Sequence, residues 1–96
     1  MGFKLDLHIH TQSFGRTFIT DGQLRRALQE KKLDGIAVVN FFNISHARWL
    51  KERLPEYFII VGQEIWSADG HIIGLGLKEK VKDFRPAAET IRDIHA

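Results

Sequence analysis

Gly35-Ile36-Ala37-Val38-Val39-Asn40 is a short, nearly continuous apolar run opened by a glycine and closed by a polar amide. A run without polar alternation fits a strand buried on both faces, as a parallel sheet covered by helices demands. Before it, Leu24, Ala27, Leu28 and Lys31 recur at helical spacing, which predicts a helix from a cap at Thr20 or Asp21 to Asp34-Gly35. After it, Ser45 is placed to cap a second helix with Ala47, Leu50 and Leu54 on one face, and Pro55 stops that helix. Tyr57 to Ile65, rich in aromatic and β-branched residues, reads as a third strand, and Ser67-Ala68-Asp69-Gly70 supplies turn chemistry. His71-Ile72-Ile73-Gly74-Leu75-Gly76-Leu77 reads as a fourth strand that pairs back or continues the sheet.

At the start of the chain, Phe3-Lys4-Leu5-Asp6-Leu7-His8-Ile9-His10 alternates strictly. Phe3, Leu5, Leu7 and Ile9 share one face, and Lys4, Asp6, His8 and His10 the other, the pattern of a half-buried strand. Residues 11–20 read as a loop, residues 78–85 as a charged surface connection, and Pro86 opens a third helix carrying Ala87, Ala88, Ile91 and Ile94. The order β-α-β-α-β-β-α predicts an α/β fold with a mostly parallel sheet, in a single domain over residues 1–96. There is no repeat, low-complexity tract or linker.

Composition narrows the function classes. Of 96 residues, 44% are hydrophobic and 27% charged, the profile of one small globular domain. No apolar run approaches the roughly 18 residues of a membrane span, so no membrane partner is expected. With no cysteine there is no disulfide, thiolate metal site or cysteine nucleophile, which suits a reducing cytoplasm, the expected location. The net charge of +2 comes from signs mixed along the whole chain, leaving nucleic-acid binding weakly supported.

Any metal must therefore be held by histidine and carboxylate. The period of two puts His8 and His10 on one polar face, roughly 6.5 to 7 Å apart along the strand. Taken alone, His-x-His is a weak signal, and its plain reading is two solvent-facing histidines at a strand end. Their place at the end of the first strand favours function, because α/β folds gather functional residues at strand carboxyl ends. Glu64, in Gly62-Gln63-Glu64, closes the apolar run of the third strand, where a carboxylate needs a partner. His71 follows the turn and can come back toward it. Three histidines and a carboxylate at strand ends would suit zinc, manganese or iron, ions that polarise phosphoryl oxygens and acidify bound water.

Asp6-Leu7-His8-Ile9-His10-Thr11, then Leu33-Asp34-Gly35-Ile36-Ala37-Val38-Val39, then Gly62-Gln63-Glu64, then Gly70-His71-Ile72-Ile73-Gly74-Leu75-Gly76, resembles the PHP family (polymerase and histidinol phosphatase domain) over essentially the whole chain. The resemblance implies the N-terminal part of a distorted (βα)7 barrel and a metal-dependent phosphoesterase acting on small phosphate esters or nucleotides. It places His8, His10, Glu64 and His71 among divalent-metal ligands. It makes Asp6 a residue that orients a histidine ring through its second nitrogen. No catalytic residue beyond the ligands, and no organic cofactor, is assigned.

The departures are specific. Where the family usually reads Thr-Asp-His after the second strand, this chain has Val39-Asn40-Phe41, so an aromatic ring replaces a ligand. The family's Ser-Asp-Gly lacks a clear match, with Phe14 of Ser13-Phe14-Gly15 where the acid would sit and Asp21-Gly22 lying later. A full barrel takes roughly 200 residues or more, so the chain is expected to be a fragment or to complete its barrel by self-association. The alternative function is a catalytically degenerate PHP-like domain serving as a structural module or binding protein or RNA.

The remaining residues take plainer readings. Trp49 is assigned to packing, and Trp66 to either a pocket wall or surface cover. Of Phe41 and Phe42, one is expected to enter the barrel and the other to face the helices. His46 belongs to a helix-cap region and His95 to the chain end. Arg25, Arg26, Lys31 and Lys32 form a solvated helix face. Gly74 and Gly76 do not make a dinucleotide loop.

Overall fold

A computed structural model describes residues 2–13 and 17–96. Four strands form the main sheet in the order β1-β4-β5-β6: β1 Leu5–Ile9, β4 Gly35–Val38, β5 Phe58–Ser67 and β6 Gly70–Leu75. The β1–β4 and β4–β5 pairings are parallel and β5–β6 is antiparallel, so the fourth strand pairs back. With the helices α1 Asp21–Lys31, α2 Ser45–Arg53 and α3 Ala87–Ile94, the sheet curls as a half-barrel. The expected loop at 11–20 holds a short antiparallel pair instead, β2 Gln12–Ser13 with β3 Thr17–Phe18. The reading of Phe14 lies outside the described residues.

Burial follows the sequence pattern most closely in the middle. Every residue of β4 is buried, and Ile36, Val38, Ile59, Val61 and Ile65 pack with Leu24 and Leu28 of α1 and with Ala47, Leu50 and Leu54 at α2. Leu50 and Leu54 are fully enclosed, so truncating either to alanine costs about 2–5 kcal/mol. Gly35 and Gly62 are the two close approaches of the sheet. A Cβ at Gly35 would be driven into Phe58 O, and one at Gly62 into Gly74 O.

Helix α1 starts as predicted. Thr20 Oγ1 accepts from Gln23 N at 3.0 Å while Gln23 Oε1 accepts from Thr20 N at 2.9 Å, a reciprocal capping box. Lys32, in the left-handed conformation, ends the helix earlier than Asp34. At α2 the N-cap position falls on Ile44, which has no capping side chain, and Ser45 is already helical; the preceding Asn43 takes up the free end instead, its Oδ1 accepting from both Ser45 N and Ser45 Oγ. In α3 the buried residue is Thr90, bonded to Pro86 O, whereas Ile91 is left exposed. The connection before α3 is tethered at Val81, which is buried and exchanges two 2.9 Å hydrogen bonds with the Gln63 amide. That pairing gives both the amide nitrogen and the amide oxygen a partner, which is why a glutamine tolerates this core position.

The edge strand β1 departs from strict alternation. Between Asp6 and Ile9 it advances three residues while its partner advances two, Ile36 to Val38, so β1 carries one extra residue there, a bulge. Phe3 and Leu7, expected on a half-buried face, are exposed, with Phe3 packing edge-on against an exposed Phe58 at 5.9 Å. A bulge turns side chains away from the regular pleat, and here the irregular stretch between Asp6 and Ile9 carries His8 itself.

Candidate metal centre

Of the four expected ligands, His8, His10 and Glu64 come together at one point, and His71 reaches the other side of the same carboxylate. In β5, Ile59, Val61 and Ile65 face the helices, so the intervening Glu64 projects from the opposite face. Its amide is held by Asn40 O at 3.1 Å, in an isolated parallel bridge that sets Phe41 beside Glu64. Across the antiparallel pair Glu64 opposes Ile73, placing His71 diagonally within side-chain reach.

The side chains meet on the carboxylate. His8 Nε2 lies 2.9 Å and His10 Nε2 2.7 Å from Glu64 Oε1, and His71 Nδ1 lies 3.0 Å from Oε2. Ring nitrogens of His8 and His10 and a Glu64 oxygen fall within 4.8 Å of one another. The carboxylate is buried, whereas His8 and His71 are about half exposed, so the cluster is anchored at its base and open to solvent. Burial pushes the Glu64 carboxyl up, but hydrogen bonds from His8, His10 and His71, with the nearby His8 charge, outweigh it and hold the group below its ordinary value. Two imidazoles and a carboxylate are the donor set of a first-row divalent ion, and one oxygen shared by two ring nitrogens is a geometry that such an ion readily replaces. The residues present therefore fit a divalent metal.

Asp6 acts differently from expectation. Its Oδ1 accepts from the His8 main-chain amide at 3.1 Å rather than from an imidazole nitrogen. That amide lies in the irregular stretch of β1, and the aspartate gives it a partner. Asp6 thus sets the backbone of a ligand, not its ring.

Sequence reasoning also missed a buried network directly behind the cluster. Asn40 Oδ1 accepts from Thr11 N at 2.7 Å and Gln12 N at 3.0 Å, and Asn40 Nδ2 donates to Thr11 Oγ1 at 2.9 Å. Thr11 Oγ1 is 2.7 Å from His46 Nδ1. The imidazole is thus held between the Thr11 hydroxyl and the Ile19 backbone carbonyl. Burial holds the His46 pKa below its ordinary value, against the opposing pull of that carbonyl. His46 is thus a buried structural histidine rather than a cap residue, packed between Phe18 and Trp49. No local signal marks it, because its partner Thr11 is 35 residues away.

Phe41 and Phe42 both join the site side, contrary to the expected division. The Phe41 ring meets His10 edge-on at 4.7 Å and His71 at 5.7 Å, and Phe42 lies 5.6 Å from Trp66. Trp66 is a wall of the site, stacked on His71 at 4.9 Å and 20°. A cleft of about 710 Å³, lined by Lys78, Lys80, Lys82 and Arg85, contains none of these residues.

No family model and no curated protein sequence matches the chain. A solved structure does: the crystal structure of a two-domain protein from Bacteroides vulgatus containing a predicted PHP-like metal-dependent phosphoesterase. It superposes with a TM-score of 0.73 at 18% identity, over 97% of this chain and 32% of its own. The chain is thus a mixed α/β half-barrel that shares the fold of about a third of that protein. No helix among the described residues is long and apolar enough to cross a membrane.

Proposed function

We propose that this chain is the N-terminal, metal-binding part of a PHP-type barrel and that the complete site is a metal-dependent phosphoesterase. His8, His10 and Glu64 are its ligands, with His71 on the second carboxylate oxygen. The observation that carries the reading is the meeting of both His-x-His nitrogens on one Glu64 oxygen, at 2.9 and 2.7 Å. A bound zinc, manganese or iron ion would polarise a phosphoryl oxygen and acidify water there. The protein's own part is to hold these donors ready. Asp6 fixes the His8 amide, the Asn40–Thr11 clamp fixes the strand just beyond His10, and the Asn40 carbonyl fixes Glu64. Substrates are small phosphate esters or nucleotides, the cysteine-free sequence suits the cytoplasm, and the barrel is completed by further chain or by a second copy. Metal content of the purified protein after zinc or manganese exposure tests the centre: at least one equivalent, lost in His8→Ala/His10→Ala, supports it. Equal content in both proteins refutes it. Metal-dependent release of phosphate from a generic ester tests the activity.

One observation favours a second reading, a degenerate binding module. The Phe41 ring stands against His10 and His71, where the family pattern carries a ligand. Metal binding without hydrolysis of any ester would favour it.

A further inference from the structure

Four of the buried polar side chains among the described residues belong to one hydrogen-bonded stretch: Glu64 of the centre, and Thr11, Asn40 and His46 behind it. Every polar group of Thr11 is taken up there. Its amide donates to Asn40 Oδ1 at 2.7 Å, and its carbonyl accepts from Ile19 N at 2.9 Å. Its hydroxyl meets Asn40 Nδ2 at 2.9 Å and His46 Nδ1 at 2.7 Å. Asn40 also reaches the other side of the centre, its carbonyl accepting from Glu64 N at 3.1 Å. Because Thr11 follows His10 directly, the Thr11–Asn40 pair fixes the main chain beside one ligand and at another.

His46 holds this pair from a third element. It stands in the first turn of α2, 8% exposed, with its ring 4.8 Å from Phe18 and stacked on Trp49 at 5.6 Å and 15°. A phenyl ring would fill the same space without the desolvation cost of a titratable group. What the imidazole adds is a pair of hydrogen bonds, one to the Thr11 hydroxyl and one to the Ile19 carbonyl. Ile19 in turn donates to Thr11 O, so His46, Thr11 and Ile19 close a ring of contacts that ties α2 to the residue after His10. A polar group that is costly to bury and fully engaged fixes geometry that apolar packing would leave loose.

We propose that His46 is a positioning residue of the metal centre: it has no hydrogen bond or ring contact with a ligand among the described residues, and acts by holding Thr11, and through Thr11 and Asn40 the main chain of His10 and Glu64, at the separation that a bound ion requires. The proposal rests on the metal-centre reading and adds a residue to it. Groups that orient metal ligands from behind are worth roughly 10- to 100-fold in metal affinity.

Zinc affinity near neutral pH, read by competition with a chromophoric chelator, tests it. His46→Phe keeps a ring between Phe18 and Trp49 but removes its hydrogen bonds, and should weaken zinc binding at least about tenfold. His46→Asn, whose amide takes the place of Nδ1 against the Thr11 hydroxyl, should stay within about threefold of the wild type. Thr11→Val should lose as much as His46→Phe, and the double variant no more than about twofold beyond the larger single loss, because both cut one link. Leu28→Ala, a core truncation in α1 outside the network, should hold its zinc affinity within about twofold. Unchanged affinity in His46→Phe, or losses that multiply in the double variant, overturns the role and leaves the centre standing. A loss in Leu28→Ala equal to that in His46→Phe makes the effect general destabilisation and overturns it too. Should His46→Phe fail to fold, His46→Gln replaces it, since its amide reaches the place of Nε2 and leaves that of Nδ1 empty. A loss of about tenfold there upholds the role, and affinity equal to that of His46→Asn overturns it. Failure of the wild type to take up zinc refutes the centre itself, and this role with it.

Discussion

His10 and Thr11 are neighbours in sequence, as are Asn40 and Phe41, yet each pair is divided between two regions of opposite character. Thr11 and Asn40 belong to a buried network with His46 in which the side-chain polar groups find partners inside the protein. His10 and Phe41 belong to a half-open cluster in which three imidazoles converge on the two oxygens of one carboxylate. Histidine occurs in both. A histidine whose hydrogen bonds are completed by the fold stabilises it, and one whose nitrogen crowds a single carboxylate in a half-open site can share that carboxylate with a metal as a co-ligand. The closed region holds the open one in place, because the clamp on Thr11 begins one residue after a ligand.

The largest effect on stability is expected where the closed region is breached. Asn40→Ala leaves two main-chain amides and the Thr11 hydroxyl without their partner in a dry site, and should cost about 2–4 kcal/mol by urea unfolding. Thr11→Val keeps the shape, removes only the hydroxyl that links Asn40 to His46, and should cost about 1–3 kcal/mol. A loss below about 0.5 kcal/mol in both would show that the two regions do not differ as described.

The open region should show the reverse. Glu64→Gln is expected to weaken zinc binding by at least about 100-fold, since even partners of metal ligands contribute roughly 10- to 100-fold. His8→Ala should abolish metal binding yet change metal-free stability by no more than about 0.5 kcal/mol, because its ring is mostly solvated. Destabilisation of the metal-free protein comparable to that of Asn40→Ala would make the cluster a structural device instead.

Acid separates the regions by their pH windows. The folded protein holds His46 neutral, with a pKa below the ordinary 6.5. As the pH falls through about 6.5 the unfolded chain takes up a proton that the folded chain refuses, so this group lowers stability from there down to its folded pKa and has no effect above. The melting temperature should drop between pH 7.5 and 5.5, and His46→Asn, which keeps an acceptor for Thr11, should flatten that drop. Glu64 acts lower: its depressed pKa gives stability that is present above the ordinary 4.5 and lost as the pH falls through the folded value. A melting temperature that stays level down to pH 5 would break this assignment.

Local pattern carried much of the architecture. The apolar run at 35–40, the helical stripes of α1 and α2 and the turn at 67–70 were legible because each is a short-range periodicity or a turn chemistry. The four residues of the candidate centre were legible too, since His-x-His places two rings on one face and a carboxylate at the end of an apolar strand needs partners. What local pattern left open was everything that depends on register and long-range contact. The bulge in β1 redirects Asp6 from an imidazole to an amide, because an extra residue in an edge strand is invisible until its partner is known. His46 looked like a cap because its decisive partner, Thr11, lies 35 residues away in the connection after β1. Phe84 stood in a charged connection and carried no signal at all, yet a hydrogen bond to β5 brings its ring beside Trp66. Residue types and spacings thus determined the mixed α/β elements and singled out His8, His10, Glu64 and His71 as candidates, through rules that act within a few residues. Only the tertiary structure decided which histidines bind inward to the fold and which are left facing an open site, because burial and hydrogen-bond completion are properties of the assembled sheet.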